Sequence, residues 1–223
     1  MKSSYYKYFA ALLLFGSNGI VASNINLPSY EIVLLRLLLG SLFLITVFTV
    51  SRQRFTFYRN KHTCLYLFIS ASAMGASWML LYEAYQQVGI SIASLAYYCG
   101  PVIVMILSPF LFRETLTWPK IAGFLTVLAG MCLVNLQALD EGKTIWGLFC
   151  GLMSAFMYAL MVTANKKAKP ESGLENSLLQ LVIGSFIVVA FVSMQKNFVL
   201  SLTTIDWIPV LLLGLLNTGI GCY

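Results

Sequence analysis

A helix that crosses a bilayer needs about 20 consecutive, mostly apolar residues. This chain offers eight such runs: Tyr8–Asn26, Glu31–Val50, Cys64–Gln87, Ile90–Phe112, Trp118–Leu136, Ile145–Asn165, Ser177–Met194 and Ile205–Tyr223. The segments between them are short, and none could hold a soluble domain. The composition agrees: 59% of the 223 residues are hydrophobic and 10% are charged, where an average soluble domain is about half apolar and a quarter charged. A soluble fold of this size has too little interior for so many apolar side chains. The expected fold is all-α, a polytopic transmembrane helix bundle. A soluble enzyme, a secreted disulfide scaffold and a nucleic-acid module are excluded.

The charges orient the bundle. With the N-terminus inside, the cytoplasmic segments hold Lys2, Lys7, Arg52, Arg54, Arg59, Lys61, Arg113, Lys120, Lys166, Lys167 and Lys169, and the opposite side holds only Lys143 and Lys196. Arg36, the last of the 14 basic residues, falls inside the second run. By the positive-inside rule the N-terminus is cytoplasmic. The net charge of +6 therefore records topology, and nucleic acid is not expected as a partner. The basic start and Val21-Ala22-Ser23 resemble a signal peptide, but Gly16-Ser17-Asn18-Gly19 interrupts the apolar stretch, so the first run is read as a membrane helix.

Smaller signals support the boundaries. Trp118, Trp146 and Trp207 sit at run ends, where an amphipathic ring prefers the headgroup level, and Trp78 lies mid-run. Ser29 before Glu31, and Thr117 before Trp118-Pro119, read as helix caps. The five cysteines show no paired spacing and read as small apolar filler. His62 reads as a solvated loop residue.

The chain repeats itself. Leu34-Leu35-Arg36-Leu37-Leu38-Leu39-Gly40-Ser41 lines up with Leu178-Leu179-Gln180-Leu181-Val182-Ile183-Gly184-Ser185 at an offset of 144, and the Gly-Ser pair carries most of the weight. An offset of 141 pairs Ala22-Ser23-Asn24 with Thr163-Ala164-Asn165, and Tyr82 with Tyr223. Runs one to three thus match runs six to eight. A unit of five helices makes the second copy enter from the opposite side, which is an inverted-topology repeat with its site at the repeat interface. Residues 1–137 form the first unit, of five helices, and residues 145–223 form three helices of its partner.

Local patterns strengthen this reading. Phe15-Gly16-Ser17-Asn18 lies within the first helix, Pro28-Ser29-Tyr30-Glu31 is followed by Arg36 in the second, and Pro101 and Pro109 precede Phe112-Arg113-Glu114-Thr115-Leu116-Thr117. Together they resemble the drug/metabolite transporter superfamily, specifically its ten-helix EamA-type exporters. Phe15 stands where that family often has tryptophan, and Arg113 where it has glycine. The resemblance implies a five-plus-five inverted repeat with about eight helices present here, in the cytoplasmic (inner) membrane. It implies export of a small metabolite, such as an amino acid, or of a drug-like compound by alternating access. An importer and a nucleotide-sugar-like antiporter are the alternatives within the class. A truncated, non-transporting membrane protein or assembly partner is the alternative outside it. Two copies of a five-helix unit need about 280 residues, so two more helices are expected past Tyr223.

Charges inside a bilayer are expensive. At about 1.5 Å per residue, Arg36 lies about 7 Å and Glu83 about 11 Å from the middle of their runs. The two are expected to form an intramembrane charge pair, or else to snorkel separately. Glu83 is also a candidate proton-coupling carboxylate. The superfamily's small multidrug exporters use a first-helix glutamate, and this first helix has no acid. Asn18, Trp78, Tyr82, Tyr97, Tyr98, Tyr158 and Asn217 are the candidate substrate-binding residues, since aromatic faces and amides at mid-depth suit a small amphipathic solute. Gly147, Gly151, Ala155, Ala159 and Thr163 form a small-residue stripe for close helix packing, for sliding faces, or for a homodimer. Gly214, Thr218 and Cys222 form a shorter one. No paired membrane aspartates, membrane histidine, zinc-ligand cluster or Walker loop is present, so neither an enzyme nor a metal, ATP or other cofactor is expected.

Overall fold

The computed structural model describes residues 2–113, 115, 117–135, 145–168, 172–194 and 207–221. Among them, eight helices follow in the order of the eight apolar runs: α1 (Lys2–Ser23), α2 (Ser29–Val50), α3 (Lys61–Tyr97), α4 (Cys99–Phe112), α5 (Trp118–Asn135), α6 (Ile145–Ala168), α7 (Gly173–Ser193) and α8 (Trp207–Leu211). A 3₁₀ turn at Phe57–Arg59 precedes α3, and α8 runs on as a π-helical stretch, Leu212–Ile220. No strand occurs among the described residues. Tyr223, Cys222, Glu114, Leu116, Asp140, Asp206, Lys143, Lys169 and Lys196 lie outside them.

Four helical stretches are long and apolar enough to cross a membrane, and one of them, Lys61–Phe112, has 52 residues. A straight helix of that length would reach nearly 80 Å, far beyond a hydrocarbon core of about 30 Å. The chain instead turns back at Gly89, whose φ of 80° and ψ of 164° belong to backbone that essentially only glycine adopts. Two observations show the reversal. Ala84 before the kink and Ala93 and Ala96 after it all lie within 4 Å of where a Gly151 side chain would begin. Both ends of the stretch also meet the end of α6: Thr63 Oγ1 donates to the Ala168 carbonyl at 3.0 Å, and Lys166 Nζ lies 4.2 Å from the Phe112 ring centroid. The third and fourth apolar runs are therefore two crossings. The backbone is helical on both sides of Gly89, as far as Tyr97, and Gly89 itself is the break between the two helical segments of α3.

Local chemistry sets the other boundaries. Pro28, with ψ of 148°, precedes α2, and its carbonyl accepts from the amides of Glu31 and Ile32. The N-cap position belongs to Pro28 with no side-chain cap bond, so Ser29 is the first helical residue and not the cap. Asn60 caps α3 through Oδ1, and Ser172 caps α7 by accepting from the Glu175 amide. Trp118, Trp146 and Trp207 are exposed at the starts of their helices, whereas Trp78 is buried.

The small stripe on α6 is buried against α3 within the same chain. A Cβ on Gly151 would come 2.8 Å from that of Ala96. Beside it, Ser77 and Ser154 exchange hydroxyl-to-carbonyl bonds at 2.9 and 2.8 Å. Of the second stripe, Gly214 and Thr218 face α2, where a Cβ on Gly214 would meet Leu39 at 2.6 Å. At the centre of the bundle α2 crosses α7, and Ser41 meets Ser185 at 3.0 Å. Large apolar side chains such as Leu13, Val50, Phe110 and Phe186 face outward, more than two-thirds exposed, as a lipid-facing surface requires. The multi-pass membrane assignment rests on these helices and on that surface.

Candidate substrate cavity and its arginine floor

A cavity of about 320 Å³ opens at one end of the bundle. It is walled by the last turn of α1 (Gly19, Ala22, Ser23), by Ile25 and Ile32 around the start of α2, and by Tyr82, Tyr85, Gln86, Gly89 and Ile90 at the bend of α3. The sequence makes this space in two ways. The chain reverses at Gly89, which puts Tyr85, Gln86 and Ile90 around one space, and Gly19 lets α1 close its side, since a Cβ there would strike Ile90 Cγ2 at 2.6 Å. Gln86 Nε2 donates to the Leu27 carbonyl at 3.0 Å and holds the α1–α2 turn over the rim.

The wall reaches Arg36 through Tyr82. Arg36 is 2% exposed. Its Nη1 donates to Tyr82 Oη at 2.7 Å and its Nε to Thr218 Oγ1 at 3.1 Å. Its Cζ lies 4.0 Å from the Trp78 ring centroid and 5.4 Å from that of Tyr82, which places the cation against aromatic faces. Thr218 is available because the last helix is π-helical here. Its hydroxyl donates to the Leu213 carbonyl, five residues back, at 2.8 Å, and still accepts from Arg36. Such widened turns recur at functional sites.

The expected Arg36–Glu83 pair does not form. Glu83 accepts from Gln87 Nε2, one turn along its own helix, at 3.0 Å. The reason is helical geometry. Trp78 and Tyr82 are four residues apart and share the face toward α2, while Glu83 is rotated by about 100° from Tyr82.

The other candidates fall into two further groups. Asn217 Nδ2 lies within hydrogen-bonding distance of the Leu14 carbonyl, Ser17 Oγ and Asn18 Oδ1, at 2.9, 3.0 and 2.9 Å. Asn18 and Asn217 thus join α1 to the last helix. Tyr97, Tyr98 and Tyr158 cluster where α3 meets α4, with ring centroids 6.2 Å (Tyr97–Tyr98) and 5.4 Å (Tyr97–Tyr158) apart. Gly100 packs directly on the Tyr158 ring. Of the seven candidates, only Tyr82 lines the cavity, with Trp78 joined to it through Arg36.

Sequence reasoning passed over Gly89, in the two-residue gap between the third and fourth runs, and Tyr85 and Gln86, at the end of the third. It also passed over two buried acids, Glu31 and Glu175, each 3% exposed. Their spacing, the same 144 residues as the Gly-Ser repeat, was the available signal.

A helical membrane bundle with a cavity at one end is an architecture that membrane transporters share with other membrane proteins, and the family decides among them. The EamA-like transporter family matches residues 3–136, more than half of the chain, and the chain belongs to that family. An uncharacterized transporter, YxxF of Bacillus subtilis (strain 168), is 26% identical over 221 residues, which is 96% of this chain and 69% of the relative. A protein of known crystal structure superposes on the whole chain, covering 77% of its own, with a TM-score of 0.75 at 18% identity, a likeness of fold.

Proposed function

We propose that this chain is a secondary transporter that exports a small metabolite by alternating access from a cytoplasmic (inner) membrane, with its N-terminus in the cytoplasm. The observation that carries this reading is the contrast between the two ends of the bundle. One end holds the cavity at the α3 bend. At the other, Glu175 accepts three hydrogen bonds from the α2–α3 loop. That closed end also carries the basic segments Arg52–Lys61 and Lys166–Lys167, which the positive-inside rule assigns to the cytoplasm. The reading is of an outward-facing state. The two repeat units, 1–137 and 145–223, are the bodies that rock against each other, and the family match over 3–136 covers nearly the first of them. In this reading Tyr82 faces the substrate with Trp78 behind it against Arg36, the Asn18–Asn217 contact is a joint between units, and Tyr97, Tyr98 and Tyr158 line the path opened in the opposite state.

The test is transport by the purified chain in vesicles of defined orientation, loaded with a panel of labelled amino acids, organic acids and lipophilic amines. Movement of at least one solute outward from the side that carries the basic loops is expected. It should fall by about tenfold or more when Tyr82 becomes alanine, since the cavity wall and an arginine partner are both lost. Movement of no solute in either orientation would overturn the reading.

A further inference from the structure

Arg36 holds a charge that the bundle does not neutralise. Its two hydrogen-bond acceptors are neutral hydroxyls, on Tyr82 and Thr218. Its Nη2 is fully buried and has no partner. A buried guanidinium whose donors are left open is costly, and burial without a counter-charge more so. The aromatic face of Trp78 offsets part of that cost but supplies no acceptor. The acids on the neighbouring helices do not serve. Glu83 is bonded to Gln87, and Glu31 keeps a buried Oε2 with no partner of its own.

We infer that Arg36 Nη2 is the anchor for the carboxylate of a small monoanionic substrate with an apolar body. This rests on the transporter reading and names the substrate class. One guanidinium matches one negative charge. A dianion would leave a charge uncompensated, because no basic side chain is among the residues that line this cavity. A planar guanidinium with free N–H groups is also the donor geometry that carboxylates fit best. The cavity leads toward it. Tyr82 both lines the wall and accepts from Nη1, so its side chain joins the cavity to the guanidinium, and in this inference the substrate reaches Nη2 by displacing it. The volume of about 320 Å³ is at the low end of the roughly 300–1,000 Å³ usual for small-molecule sites. Ile25, Ile32 and Ile90 suit an apolar body.

The experiment compares acids with their own amides, which keep the shape and lose the charge. The purified full chain carries Phe at positions 118, 146 and 207, so that Trp78 reports on Arg36. It is titrated with benzoate, phenylacetate and isobutyrate, and with the primary amide of each. At least one acid should quench Trp78 and raise the unfolding midpoint with half-saturation about tenfold or more below its amide, the ratio a charge-assisted hydrogen bond supports. Arg36→Gln should abolish that preference, and Arg36→Lys should keep part of it. If the amides match the acids, or no acid binds, the inference is overturned. The comparison within the unsubstituted pocket needs no arginine variant to fold. Vesicles that move neutral or cationic solutes but no acid would leave the transporter reading standing and remove this one. An acid–amide preference in vesicles that move nothing would do the reverse.

Discussion

Glu31 and Glu175 are the same residue at the same register in two helices. Glu175 stands 144 positions after Glu31, the offset that also separates Ser41 from Ser185. Each lies in the first turn of its helix, and each is 3% exposed. Their surroundings differ completely. Glu175 Oε1 accepts from the amides of Thr56 and Phe57 at 2.6 and 2.9 Å, and Oε2 accepts from Thr56 Oγ1 at 2.6 Å. Glu31 Oε2 is buried with no partner. Burial of an acid therefore follows its place on the helix, while its contribution depends on what the facing loop presents. One end of the bundle is fastened by a carboxylate. The other end, beside the cavity, is not.

Breaking the fastened acid should have the largest effect. Glu175→Ala strands two backbone amides and a hydroxyl, and three charge-assisted bonds are lost together. A destabilisation of about 3 kcal/mol is expected, less than the sum of three separate bonds because the loop relaxes toward water. Glu31→Ala removes no bond and should change stability by no more than about 0.5 kcal/mol, in either direction. Unfolding midpoints in one detergent measure both. Equal losses at the two positions would end the comparison.

The next contrast lies one turn beyond the arginine. Gly40 and Gly184 share the same offset, and so do the residues each would strike if it carried a side chain. A Cβ on Gly40 would meet Thr218 Cγ2 at 2.7 Å and Leu181 at 3.3 Å, and a Cβ on Gly184 would meet Met74 Cε at 3.2 Å. Thr218 is β-branched and held by Arg36 and the Leu213 carbonyl, so it cannot yield easily. The methionine end is flexible and can. Gly40→Ala should destabilise by about 2 kcal/mol and loosen Arg36, and Gly184→Ala by about 0.5 kcal/mol or less. Thermal unfolding of the pair checks the order, and a larger loss at Gly184 would refute the packing argument.

The large features were legible because apolar length and small-residue spacing are local. The eight runs, the break between the third and fourth, and the α6 stripe all follow from residues near one another in sequence. The Gly-Ser repeat even pointed to a contact, since Ser41 and Ser185 meet in space. The site was less legible. Arg36 finds its partners 46 and 182 positions away, and a rule that pairs opposite charges favoured Glu83 over Tyr82, its neighbour on the other face. Thr218 depends on a π-helical register, which apolar periodicity does not encode. Asn18 and Asn217 were chosen as mid-depth amides in need of a partner, and each is the other's partner.

The smallest effect probes the centre, where the two related helices touch. Ser185 Oγ donates to the Leu181 carbonyl at 2.7 Å, so its one proton is committed and Ser41 is the donor across the 3.0 Å contact. The two serines are equivalent by the repeat and yet unequal in the bond. Ser41→Ala leaves Ser185 still bonded to its own helix. Ser185→Ala leaves the Ser41 hydroxyl to find another acceptor. Both losses should be under about 1 kcal/mol, with Ser185→Ala the larger, and a double-mutant cycle should give a coupling of about 0.6 kcal/mol, as for interhelical bonds in other membrane bundles. A coupling near zero would make the contact incidental to the repeat. A measured coupling would show that α2 and α7 are held together where their equivalent residues coincide.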